Sequence, residues 1–261
     1  MSLSIAATVI VISNPYAQLL GQIILSVAFY LVARRVGRSV KFRATADLFE
    51  AYAIFAAAAA VRTFAVGLVT IFLPADQILI PFIDTLSIVG TVLVLTKLSG
   101  KSLGAIYLRK GNLRFGLAVG IIGFFLLYVG ILLGFQFLYG NSHGISFVRL
   151  LELSPVVLIL AFLNAPKEEI WFRSLFFGKS IPLFGNLGAN LLAGPLFALA
   201  HLNAQYSQFG VAFQVGFLVL VFGLGLFWGY LMQRTNSILA PSLVHAGADV
   251  AIFLPILLSL L

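Results

Sequence analysis

Apolar residues run along this chain in long stretches, near 15–33, 50–73, 78–96, 115–138, 148–165, 186–202, 210–232 and 238–260. Each is close to the roughly 20 residues that a helix needs to cross about 30 Å of hydrocarbon. A shorter run, 3–12, is left over as an interfacial or re-entrant piece. The stretches are too continuous and too long for the alternating strands of a membrane β-barrel. They follow one another closely, with no clear internal repeat and no low-complexity linker. The pattern predicts an all-α, polytopic transmembrane helix bundle of about eight spans, forming a single integral membrane domain over residues 1–261.

Composition strengthens this reading. Of 261 residues, 61% are hydrophobic and only 9% charged, whereas a soluble domain is about 45–50% apolar and about 25% charged. The net charge of +8 would suggest nucleic acid in a soluble protein. Here the cations gather in short loops, Arg34–Arg43 and Lys97–Arg114, which points to orientation in a bilayer and no nucleic-acid partner. With every run crossing once, Lys179 and Arg234 fall in later loops on the same side. The opposite loops, near 74–77, 139–147 and 203–209, hold one Asp and no Lys or Arg. This asymmetry predicts a cytoplasmic side for the basic loops and an external N-terminus. Met1–Ser13 lacks a basic n-region and a small-residue cleavage pattern, and reads as part of the mature protein. There are no cysteines, which excludes disulfides, thiolate catalysis and Cys-ligated metals.

Glycines four apart, Gly116/Gly120, Gly130/Gly134 and Gly225/Gly229, are expected to pack helices closely. More informative are ionisable residues inside apolar runs, each costing at least ~2.5 kcal/mol on insertion scales. They are Arg62, Asp84, Arg149, Glu152, Glu168, Glu169, Arg173, His201, His245 and Asp249. Glu169 and Arg173 stand four apart and can pair on a helix. Glu168, about 100° away, can point elsewhere. The alternative is a helix end whose charges, with Lys167, snorkel to the interface. Phe197 and His201 share a helix face, as do His245 and Asp249, so the Asp249 carboxylate can orient the imidazole. A hydrogen-bonded core histidine and a structural Asp–His lock are the bland alternatives. His143 lies in a polar loop and is expected to be solvated.

Depth joins the three segments. Glu168 lies about ten residues before a turn expected near Lys179, His201 about fifteen after Asn186, and His245 about eight after Asn236. At 1.5 Å per residue these are roughly 15, 22 and 12 Å from one end of the bundle.

The three segments, Glu168-Glu169-Ile-Trp-Phe-Arg173, Phe197-Ala-Leu-Ala-His201 and His245-Ala-Gly-Ala-Asp249, resemble the CPBP family, the CAAX protease and bacteriocin-processing group of intramembrane endopeptidases. Its pattern is E-E-x-x-x-R, F-x-x-x-H and H-x-x-x-N or its Asp variant. The resemblance covers roughly 155–255, a region like the family's catalytic core. It implies an intramembrane endopeptidase that cuts a membrane-associated substrate, such as a prenylated C-terminus, near the cytoplasmic face. Glu168 would be the general base with His201 assisting, His245 and Asp249 would hold the oxyanion, and Glu169, Arg173 and Phe197 would support them. An ionised Asp249 cannot donate a hydrogen bond, so it would be protonated or would only orient His245. The resemblance favours a metal-free, glutamate-dependent mechanism with no cofactor. Two His and one Glu, Glu168, His201 and His245, can alternatively form a catalytic Zn²⁺ site. Functional rivals are a proton-coupled transporter using Asp84, Glu152 and Glu168, and a non-catalytic scaffold or immunity protein of the same fold.

Overall fold

The computed structural model of the chain describes residues 14–72, 79–137, 145–202 and 210–258. The run 3–12, His143 and the loops 74–77 and 203–209 lie outside the described residues. Those described form helices and turns without a strand: α1 (Pro15–Val36), α2 (Arg43–Phe72), α3 (Leu79–Leu98), α4 (Leu113–Phe135), α5 (Phe147–Glu168), α6 (Leu175–Ala200), α7 (Val211–Thr235) and α8 (Leu239–Leu258). A π-helical turn, Glu169–Ser174, joins α5 to α6, and short 3₁₀ turns occupy Val40–Phe42 and Leu103–Ile106. Helix starts carry local signals. Asn14 accepts from the amides of Tyr16 and Ala17 ahead of Pro15, and Asn112 and Ser146 cap α4 and α5, satisfying amides that have no helical partner. Asn236 in the left-handed region ends α7.

Seven continuous helical segments among the described residues are long and apolar enough to cross a membrane. The longest, Phe147–Ala200, contains both α5 and α6. As a straight rod it would hold Glu168 and His201 about 50 Å apart, yet their side chains lie 3.9 Å apart. The chain therefore doubles back inside it, at Gly185 (φ 69°, ψ 179°), whose left-handed backbone suits a residue without Cβ. This reversal brings the count to the eight runs expected. It also moves one turn: Lys179 sits within the first part of α6, buried, and not in a loop. Hydropathy placed the turn at the charge, whereas the breaker is the glycine six residues on. Likewise α2 starts at Arg43 and not at 50, because its first turns carry Asp47 and Glu50, which pair with Lys101 at 2.8 and 2.9 Å. Hydropathy marks where hydrocarbon begins, not where the helix does.

The loops rich in cations meet at one end of the bundle. Asn112 donates its amide to Thr235 (2.7 Å), and Ile238 donates to the Tyr107 carbonyl (3.1 Å). Arg109 Nε donates to the Asn236 carbonyl, and Gln233 to the Asn186 carbonyl. The inner core gathers aromatic side chains from α2, the π-turn, α6 and α7, among them Phe55, Trp171, Phe172, Phe176, Phe197 and Trp228. Outward faces are apolar as well, with Ile24, Phe125, Leu126 and Val219 exposed, as a lipid-facing surface requires.

Gly116 and Gly120 lie against Thr235, Ala240 and Leu243, and Gly225 and Gly229 against Phe197 and Asn190, so these pairs pack as expected. Gly130 and Gly134 do not: a Cβ at either would meet nothing within 4 Å among the described residues. Their spacing on α4 points away from the neighbouring helices.

Candidate active site

The site grows from the π-turn. Proline is tolerated at 166 inside α5, and three residues later the helix widens into the turn Glu169–Ser174. Turns of this kind re-aim side chains and recur at functional sites. Here Glu169 and Arg173 turn inward, fully buried, with Arg173 Nη1 on Glu169 Oε1 at 2.5 Å. Arg173 Nε donates to the Gly225 carbonyl at 3.1 Å, and its guanidinium lies 4.1 Å from the Phe197 ring centroid. Gly225 allows this close approach: a Cβ there would come within 3.2 Å of Arg173 Nη2 and 3.3 Å of Phe197 and would push them by a few tenths of an ångström.

Glu168, one residue earlier, faces a different set. Its Oε2 lies 3.6 Å from His245 Nε2 and 3.9 Å from His201 Nε2, and this buried oxygen makes no hydrogen bond within the protein. His201 is fixed by its other nitrogen: Nδ1 is 2.8 Å from the Phe197 carbonyl. A carbonyl can only accept, so Nδ1 carries the proton and Nε2 is turned to Glu168. His245 is held more heavily. Its Nδ1 is 2.8 Å from Glu169 Oε1, its Nε2 3.3 Å from Asp249 Oδ1, and the Trp228 indole lies flat against the ring. Asp249 in turn accepts from Asn164 Nδ2 at 3.0 Å. The side chains of Glu168 and His201 remain 14% and 15% exposed, those of His245, Asp249, Glu169 and Arg173 at most 2%. The first two therefore form the approachable edge of the cluster and the other four its floor.

Glu168, Glu169, Arg173, Phe197, His201, His245 and Asp249 are thus brought together. The other membrane-embedded ionisable residues are not part of the cluster. Asp84 pairs with Lys167 at 2.5 Å and with Arg62, and Arg149 pairs with Glu152 at 2.9 Å near the start of α5, about 24 Å from Glu168 along the helix. Lys167 does not snorkel; it is buried against Asp84. Two participants and one contact were not visible in the three motifs. Asn164 is four residues before Glu168, and its signal was an amide on the same helix face. Trp228 looked like an ordinary apolar residue. The contact of Glu169 with His245 depends on the π-turn, which spacing at 3.6 residues per turn cannot reveal. Among the described residues no group of three or more His, Asp or Glu side chains is spaced to hold a metal ion.

The described residues thus form an all-helical bundle apolar enough to span a membrane, with carboxylates and histidines converging beneath one approachable edge. Residues 150–251 match the family model described as type II CAAX prenyl endopeptidase Rce1-like. That segment holds all three motifs, so the resemblance read from them stands, and the coarse activity it carries is that of a CAAX-type protease. No curated protein and no solved structure matches the chain.

Proposed function

We propose that the protein is an intramembrane endopeptidase in which Glu168 activates water to cut a peptide bond in a membrane-associated substrate. The observation that carries this reading is the Glu168 Oε2 atom, buried, without a protein partner, and facing two imidazole nitrogens. A water about 2.8 Å from both Oε2 and His201 Nε2 forms a comfortable triangle on their 3.9 Å base. Glu168 accepts a proton from that water as its oxygen attacks the scissile carbonyl carbon. The carbonyl oxygen takes the charge and needs donors. His245 supplies one: with Glu169 on Nδ1 at 2.8 Å and Asp249 on Nε2 at 3.3 Å, both ring nitrogens carry protons, and the Nε2–H, on the longer of the two contacts, is shared with the oxyanion. Collapse of the tetrahedral intermediate then expels the amine, which takes the proton back from Glu168 and leaves two peptide fragments. Asp249 orients and neutralises His245 in this scheme and does not touch substrate. No cofactor is required. The basic end of the bundle is cytoplasmic and the N-terminus external, as the loop charges suggest, and His245, about 14 Å from Asn236 along the chain, supports a site in the cytoplasmic half.

A second reading is favoured by the aim of the imidazoles. Both direct Nε2 toward Glu168 while Nδ1 is anchored, the arrangement of histidines that ligate zinc. Glu168, His201 and His245 would then hold the ion, which would supply an acidified water. Against it, tetrahedral zinc at about 2.0–2.1 Å places ligand atoms about 3.3 Å apart, and Glu168 Oε2 lies 3.6 and 3.9 Å from the two nitrogens.

The test is purified full-length protein with an internally quenched peptide ending in a farnesylated Cys-aliphatic-aliphatic-X sequence, assayed with and without a strong chelator and checked by elemental analysis. Cleavage that survives the chelator supports the glutamate reading. Stoichiometric zinc whose removal stops cleavage, and whose return restores it, overturns it.

A further inference from the structure

The basic end of the bundle holds a cavity of about 390 Å³, and its Lys179 lies eleven residues beyond Glu168, about 16 Å along the helix. Its wall includes Lys101, Arg109 and Lys179, with Asp47 the one carboxylate and Tyr107 beside them. Lys101 is committed to Asp47 and Glu50. Lys179 is not: its side chain is buried, with 5% of the residue exposed, and its Nζ makes no hydrogen bond within the protein. A buried ammonium without a hydrogen bond is costly; the charges of Asp47 and Glu50 offset part of that cost, and an anion in the cavity would supply the missing hydrogen-bond partner. The backbone here is also held away from its resting state, with Tyr107, a bulky residue, at φ 59°. We infer that this cavity binds a phosphate-bearing anion, with Lys179 and Arg109 as its charged contacts. The source is either an anionic lipid headgroup, which a basic pocket at a bundle end suits, or free phosphate.

The test is the thermal stability of delipidated full-length protein in nonionic detergent, with inorganic phosphate, phosphatidylglycerol or phosphatidylcholine added. Phosphatidylglycerol, phosphate or both should raise the Tm of the wild type by about 5 °C or more at a hundredfold excess over Kd, and leave Lys179→Met unmoved. A rise with phosphatidylglycerol alone assigns the headgroup; a rise with phosphate assigns the free ion as sufficient. Where Lys179→Met does not accumulate, Arg109→Gln takes its place and should show a smaller shift. Equal stabilisation by phosphatidylcholine, or a variant that responds as the wild type does, overturns the assignment.

A separate observation concerns the reaction itself, and rests on the proposed hydrolysis. An oxyanion needs N–H donors, and the Asp249 carboxylate has none to give. The side chain that meets it is the Asn164 amide, at 3.0 Å. Asn164 is half-buried, and one turn before Glu168 on the same helix face. Its Nδ2 has two hydrogens and spends one on Asp249. The geometry points to Asn164 as a second oxyanion donor, held in orientation by Asp249. With the farnesylated peptide above, Asn164→Ala should lower kcat by about 10²–10³-fold with little change in KM. Adding Asp249→Asn to that variant returns an amide to the site and should recover part of the loss. An unchanged kcat in Asn164→Ala, or a loss that the double variant does not relieve, overturns this role. A wild type that cleaves no such peptide overturns the proposed hydrolysis instead, so the two failures are distinct.

Discussion

Trp228 lies flat on His245, ring centroids 3.8 Å apart and planes 14° from parallel. The indole face is the negative part of its quadrupole, and an imidazole stacked on it is held in place by about 0.5–2 kcal/mol. It also blocks the ring from rotating out of line with Glu168. Trp228→Phe keeps an aromatic in the core but weakens both effects. It is expected to fold and to lose between about 2- and 30-fold in kcat, read by peptide cleavage alongside thermal unfolding. An unaltered kcat would remove Trp228 from the account.

The Glu169–Arg173 pair is fully enclosed. Removing one partner strands the other in a low-dielectric interior, at about 3–5 kcal/mol. Arg173→Ala should therefore reduce the folded fraction in detergent, seen as early unfolding on heating. Glu169→Gln, which retains an oxygen for His245 Nδ1, should be milder. Arg173→Ala unfolding at the wild-type temperature would contradict the burial described here.

Asp84 ties the N-terminal half to the catalytic helix, since its carboxylate meets Lys167, the neighbour of Glu168, and also Arg62. Asp84→Asn leaves two cations facing a neutral amide. The expected outcome is a loss of stability of the same order as for Arg173→Ala, with activity falling in proportion to folded protein. A variant of full stability with no activity would instead make Asp84 part of the chemistry.

Topology offers a test independent of catalysis. A reporter fused after Arg43 or Arg109 should read cytoplasmic, and one fused between Asn141 and Gly144 should read external. The reverse pattern would invert the orientation drawn from the loop charges.

Much of this architecture was legible because hydrocarbon thickness imposes a length on every apolar run. Six of the eight helices start and stop within about three residues of where the runs do. The exceptions have physical causes. Lys179 resembles a loop residue but is carried inside a helix that continues to Gly185, and the polar first turns of α2 lie beyond the apolar run. The site was legible as residues placed on faces, Glu169 with Arg173 and His245 with Asp249. What spacing could not give was the meeting of faces. The π-turn sets Glu169 against His245 as well as Arg173, and the reversal at Gly185 carries His201 back to Glu168. Asn164 was readable only as an amide in an apolar run, because its partner is 85 residues away.

The central claim is that Glu168, and not its neighbour Glu169, activates the water. It is tested most directly by comparing Glu168→Gln with wild type in the farnesylated-peptide assay, with thermal unfolding confirming that both are folded. Glu168→Gln replaces a base by an amide of the same shape at a partly exposed position, so it should unfold near the wild-type temperature and cleave at least ~10²-fold more slowly. A folded Glu168→Gln that cleaves at the wild-type rate would contradict the account.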